Sequence, residues 1–292
     1  MREPIANKTH YSNGVLTLDK QITESYENER GPGTIPVKME KLATPEANLP
    51  VKAIIVPHAP IDLAGPCASW AYKDLAEQGD GITTYIIIAQ PQKSLKSGTT
   101  LETFQMPHGE IRVDQQFVRD LVSKGHIKVD EQIHKEESVI EVQLPFLQHL
   151  NKNRLEKIKI VPLLIGDDVD YKELSADIKE VLLEQNKQVL FIFVTNLTSY
   201  GRNFHFVPFT EEITQNIAKI DKSLIDAIKS HKENNFFEAV DKSMVPVSGY
   251  FAMKLYFTLL NPKKISLEQN YLSGDVNGDY KNCVSYASFV IR

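Results

Sequence analysis

The segment Val56 to Tyr72, VPHAPIDLAGPCASWAY, places a single histidine, His58, just after a run of β-branched residues that stops at Pro57. An imidazole at the end of a buried strand, facing a loop, can ligate a metal or act as a general acid or base, because it changes charge near neutral pH. The competing assignment is a histidine packed in a turn. Two further strand ends carry different chemistry. AQPQK, residues 89–93, offers Gln92 and Lys93, both poor transition-metal ligands beside imidazole or carboxylate. TNLTSYG, residues 195–201, offers Asn196, Thr198, Ser199 and Tyr200, none of them ionised at neutral pH. A catalytic metal centre usually takes three protein ligands, and the local sequence supplies one. Such a set can hydrogen-bond a polar ligand but has little charge with which to hold a divalent ion.

Glu141 stands one residue before the core position Val142 in EESVIEVQLP. It either points into the cleft or is a half-buried structural carboxylate, and the sequence leaves both open. The other histidines, His10, His108, His126, His134, His149, His205 and His231, lack the i, i+4 spacing of a helical metal pair. Of these, His205 is near a candidate strand-end loop, although a surface position suits it better. No G-x-S-x-G nucleophile elbow is present. Ser248 precedes a glycine at a helix start in PVSGYF, which allows a nucleophile and favours an N-cap. Cys67 has no basic flanks and suits helix packing. SLKSG and SGDVNGD are too loose for a phosphate loop.

Positioning these residues requires a regular scaffold, and the pattern supplies one. KAIIVP, TTYIIIAQ, IKIVPLLIG and QVLFIFVTN read as strands, mostly without alternation and therefore buried on both faces. Between them lie helical stretches. GPCASWAYKDLAEQG ends at Gly79, DQQFVRDLVSKG is opened by Asp114 and closed by Gly125, and DYKELSADIKEVLLEQN has Asp170 as cap with Glu173 three residues on. Residues 136–150 have helical spacing through Val139, Val142 and Phe146, with a kink expected at Pro145. TLETFQMPHGEIRV reads as two short strands turning at Pro107 to Gly109, two or three helices fill 210–260, and ISLEQNYLSGD and CVSYASFVIR close the chain as strands. Residues 1–27 end in a helical stretch, and residues 28–50, with four prolines, form a loop or arm. Strands alternating with helices give an α/β fold: a single domain, 1–292, with a mostly parallel central sheet and helices on both faces. Ligands then bind beyond the carboxyl ends of the strands, where His58, Gln92 and Asn196 fall.

The totals exclude several classes. The 292 residues are 42% hydrophobic and 24% charged, as in ordinary globular proteins. A net charge of −5 gives no footprint for nucleic acid and no reason to expect an anionic membrane. The apolar run VLFIFV is of strand length, far short of a bilayer span. MREPIANKTHYSNG has no signal-peptide core, and two distant cysteines, Cys67 and Cys283, make no disulfide framework. A reduced, cytoplasmic protein is expected.

The order of these pieces resembles the Memo family, whose members have the fold of class III extradiol dioxygenases. MREP and HYSNG are similar to the family's opening, with its arginine and aromatic-tyrosine pair. VPHAPIDLAGPCASWAYKDL is similar to its PHAGY-x-YSG-x-CAAxAY segment, EESVIEVQLPFLQ to EHSIE-x-QLPFLQ, and IKIVPLLIG and CVSYASFVI also have counterparts. By this resemblance His58 takes the place of the cleft histidine of PHAG. Gln92 stands where the first histidine of GPSHH, a second ligand, belongs. Ser138 replaces the EHSIE histidine, while the final glutamate is kept as Glu141. In the family's SSDxxHWG the aspartate becomes Asn196 and the histidine Ser199, and a cleft cysteine before a glycine becomes Ser248. Pro60 replaces a glycine beside His58.

The resemblance therefore implies a degenerate cleft. The expected protein is a non-catalytic binding protein that takes no cofactor and binds a small molecule, a peptide or a protein partner there. The alternative is a metal-dependent oxidoreductase or dioxygenase-like enzyme with iron or copper, using His58, Glu141 and His205. A third reading is metal-free acid/base chemistry by His58 with Glu141.

Overall fold

A computed structural model describes residues 1–36, 49–77 and 81–292. The expected helix end at Gly79 and most of the 28–50 arm lie outside these residues. Among the described residues the strands join one sheet: β1 (Ala53–Val56), β2 (Thr84–Ala89), β3 (Gly98–Thr99), β4 (Phe104–Met106), β5 (Gly109–Val113), β6 (Lys159–Leu164), β7 (Val189–Val194), β8 (Ser199–Gly201), β9 (Ile265–Leu272) and β10 (Asn282–Ile291). Their order is β4-β5-β6-β2-β7-β1-β10-β8, with β3 beside β6 and β9 beside β10. The centre, β5 to β1, is parallel. Antiparallel strands finish the edges. The fold is thus a single-domain α/β architecture with a mixed, mostly parallel sheet, as the sequence implies.

The strand core follows from composition. Every residue of β1 and β2 is buried, as is β7 from Leu190 onward. Burying an isoleucine such as Ile86, Ile87 or Ile88 completely is worth about 1.5–3 kcal/mol each. The covering helices form two groups. On one side α1 (Val15–Glu27) and α2 (Ile61–Glu77) pack together, and α2 lies on β1, β9 and β10. On the other, α3 (Gln115–Ser123) meets β6. Past a short α4 (Glu131–Glu136) and α5 (Leu144–Leu150), which packs on α1 and α2, comes α6 (Tyr171–Glu184). Then α7 (Ile213–Lys229) and α8 (Glu233–Ser243) pair, and α9 (Tyr250–Leu259) sits against β7, β2 and α6. Asp114 and Asp170 cap α3 and α6 through their carboxylates.

Two local expectations are corrected. Pro145 kinks nothing: Glu141–Gln143 form a 3-10 turn and Pro145 falls in the first turn of α5, where its missing N–H has no helical partner to lose. The second helix begins at Ile61 rather than near Gly65, so Pro66 lies inside it. No helix among the described residues is long and apolar enough to cross a membrane.

Candidate functional site

The register of two parallel strands creates the site. Val56 of β1 lies opposite Val194 of β7, and Thr195 N–H continues the ladder to the Val56 carbonyl at 3.0 Å. Two residues beyond, His58 and Asn196 therefore emerge side by side. The Asn196 side chain serves both backbone groups of His58: its Oδ1 accepts from the His58 N–H at 3.0 Å, and its Nδ2 donates to the His58 carbonyl at 2.9 Å. This fixes the histidine backbone in the absence of further strand pairing.

Ser248 closes the constellation. Its Oγ lies 2.9 Å from His58 Nε2 and accepts the Asn196 N–H at 2.9 Å. With the amide on one lone pair, Ser248 has its own proton to give to Nε2, the arrangement in which the imidazole proton resides on Nδ1; the heavy-atom positions also accommodate the other tautomer, with Nε2–H donating to the second lone pair. Donation from Ser248 requires a neutral imidazole, and that form is favoured by the surroundings of His58. Burial, with a smaller contribution from His10, pushes it down to about 4, so the ring is neutral at pH 7. Ser248 does not cap α9, contrary to the N-cap expectation; no side chain caps that helix. Gly249 explains why the serine can come so close. A Cβ there would lie 2.4 Å from the Thr195 Cβ and 2.6 Å from the Val194 carbonyl, so the start of α9 meets the end of β7 only with a glycine.

Gln92, beyond β2, is exposed and donates through Nε2 to the carbonyls of Gln90 at 2.9 Å and Ser248 at 3.0 Å. Gln90, which the sequence did not single out, accepts the Phe251 N–H in the first turn of α9 at 3.0 Å. Nothing in its local sequence signals that role.

Glu141 lies in a different setting. It is fully buried, and it accepts from Arg2 Nη1 at 2.7 Å, the Ala6 N–H at 2.8 Å and the Tyr11 hydroxyl at 2.7 Å, with the Ile5 N–H 3.0 Å from both oxygens. Arg2 also donates to the carbonyls of His134 and Glu137, and its guanidinium lies 4.6 Å from the Phe104 ring centroid. Burial and the Glu141 charge push the Tyr11 phenol far up. Beside it, His10 is held below its usual range by burial, and it is close enough to His58 to depress that ring further. The opening HYSNG is thus part of the site's surroundings, and its likeness to the family's aromatic-tyrosine pair was the available signal.

His58, Gln92, Asn196 and Ser248 are brought together by direct hydrogen bonds. Ser199 opens β8, buried and opposite Val284 of β10, and half-buried Ser138 gives its carbonyl to the Val142 N–H at 3.0 Å. Neither joins the network by a hydrogen bond among the described residues. His205 is exposed, in a left-handed conformation after a 3-10 turn. Among the described residues no three His, Cys, Asp or Glu side chains are grouped to hold a metal ion. One imidazole with an asparagine, a glutamine and a serine does not fit the ligand preferences of iron, copper or zinc.

Comparison with known proteins places this arrangement. The model of the family described as Memo-like protein matches residues 2–290. A MEMO1 family protein of Methanocaldococcus jannaschii is 30% identical over 302 residues, covering 100% of this chain and 99% of that protein. One from Methanococcus maripaludis is 30% identical over 299 residues with the same coverage, and one from Thermococcus kodakarensis is 30% identical over 83% of this chain and 87% of its own. On a match running nearly end to end, the chain belongs to the Memo family.

Proposed function

We propose that this Memo-family chain has a degenerate cleft, holds no catalytic metal there, and acts by binding a small-molecule, peptide or protein ligand at the carboxyl ends of β1, β2 and β7. The observation that carries this is the double hydrogen bond between Asn196 and the His58 backbone. An aspartate could accept from the His58 N–H but could not donate to its carbonyl, so the position is specialised for a neutral lock rather than for a cation. Ser248 and Gln92 support the same reading, since both are uncharged and both hydrogen-bond to neighbouring protein groups at these strand ends. Glu141, the glutamate kept from the family pattern, has its charge answered by buried Arg2, so it contributes no free negative charge either.

The test is metal analysis of the full chain, purified anaerobically and exposed separately to Fe(II), Cu and Zn. Substoichiometric metal, unchanged in His58→Ala, is expected. One equivalent of metal that disappears in His58→Ala, or ring-opening of a catechol that depends on Fe(II), would overturn the proposal.

A further inference from the structure

We propose that the Ser248 hydroxyl and the His58 imidazole form a nucleophilic pair, and that the ligands of this cleft include acyl donors, esters or thioesters, that acylate Ser248. This rests on the metal-free reading above and deepens it by naming a ligand class and the atom that meets it.

Three features carry the inference. The first is the contact itself: Oγ and Nε2 are 2.9 Å apart, within reach for proton transfer. The second is the state of the oxygen. Asn196 N–H occupies one lone pair; with the proton given to His58, a second lone pair remains to attack a carbonyl carbon. The third is the position. Ser248 lies two residues before Tyr250, the first residue of the 10-residue α9, where backbone dipoles favour developing negative charge. The Gly249 N–H, next to the nucleophile, makes no backbone hydrogen bond among the described residues, and the proposal assigns it to the oxyanion. Gln92, by holding the Ser248 carbonyl, fixes the orientation of that peptide. With Asn196 clamping the His58 backbone, the pair is held from both sides.

The step balances without an oxidant or reductant. The Oγ–H proton passes to His58 Nε2, the Oγ–C bond forms, and the bond from the carbonyl carbon to the leaving oxygen or sulfur breaks. The departing alkoxide or thiolate then takes the proton from Nε2. Water repeats the sequence in the other direction of roles to release a carboxylic acid. Asn196 is a positioning residue in this scheme, and Ser248 and His58 touch the reacting atoms.

The full chain, exhaustively chelated, is incubated with p-nitrophenyl acetate, and the acetylated residue is located by peptide mass spectrometry. A single acetyl group at Ser248 is expected. Ser248→Ala removes it, and His58→Gln lowers the rate of its formation by about a hundredfold or more while the urea midpoint stays close to that of the parent. If His58→Gln fails to fold, the position of the acetyl group in the unaltered protein decides. Acetylation confined to lysines, or a Ser248 rate unaffected by a folded His58→Gln, overturns the pair. No acetyl group at Ser248 in protein that also binds no metal overturns the covalent step alone. Acetylation that requires added Fe(II), Cu or Zn overturns the metal-free reading beneath it.

Discussion

At position 196 an aspartate and an asparagine differ by one hydrogen-bond donor, and that donor points at the carbonyl of His58. Asn196→Asp removes it and sets a negative oxygen against another oxygen. The expected loss is about 1–3 kcal/mol of unfolding free energy, read from urea denaturation. Asn196→Asp as stable as the parent, with its carboxylate ionised, would show that the lock is dispensable. His58 belongs to the same scale. Burial leaves its ring neutral far below the ordinary imidazole range, at about 4 against 6.5. An NMR titration is therefore expected to show no protonation of this ring between about pH 8 and about pH 6, where a solvated histidine would be half-charged near the lower end. A His58 resonance titrating near 6.5 would show that burial does not depress this ring.

The elements decide where those side chains can go. The in-register pairing of β1 with β7 carries His58 and Asn196 to the same level beyond the sheet. The start of α9 then closes on Thr195, with Gly249 as the contact that permits it. Gly249→Ala is expected to push α9 off the end of β7. The cost is about 1–3 kcal/mol, and the Oγ–Nε2 contact should be lost as well. Thermal unfolding checks the first, and a return of His58 toward the ordinary imidazole pKa checks the second. Helix 3-10 geometry over Glu141–Gln143 has the complementary effect: it turns Glu141 toward the N-terminal segment, where Arg2, Ile5, Ala6 and Tyr11 converge on it.

For the molecule as a whole, that convergence ties the first eleven residues to the core. Arg2→Ala strips the partner from a fully buried carboxylate, and its cost is expected at about 3–5 kcal/mol, much more than a surface ion pair would show. Glu141→Gln in the same background should recover part of the loss, because an amide needs no countercharge; equal stability of the single and double variants would contradict this account. Stability also depends on pH through half-buried His58 and buried His134. His58 and His134 are each pushed down to about 4 by burial. The unfolded chain, with imidazoles near 6.5, binds protons first as pH falls, so their contribution to stability is complete above that value and is lost progressively down to about 4. His58→Gln should make the slope of unfolding free energy against pH shallower in that window, and an unchanged slope would exclude His58 as a source.

Much of this was legible in the residues. The uninterrupted Ile and Val runs announced buried parallel strands, since a strand covered on both faces needs no polar alternation. The caps Asp114 and Asp170 were readable because capping is a local interaction between a side chain and an N–H two or three residues on. His58, Gln92, Asn196 and Ser248 could be named from strand ends and from the family resemblance. Their mutual contacts could not, because Ser248 is 190 residues from His58 in sequence and meets it only through the packing of α9 on β7. The same holds for Pro145, whose effect depended on where the helix began, and for Glu141, whose partners lie about 135 residues away. The fold class was readable in the residues because strand and helix patterning is local, and the family and the cleft's residue types were readable because whole segments such as VPHAPIDLAGPCASWAYKDL resemble the family's own. Which polar groups face one another emerged only from the folded chain, because hydrogen-bond partners across a sheet are set by register and helix docking.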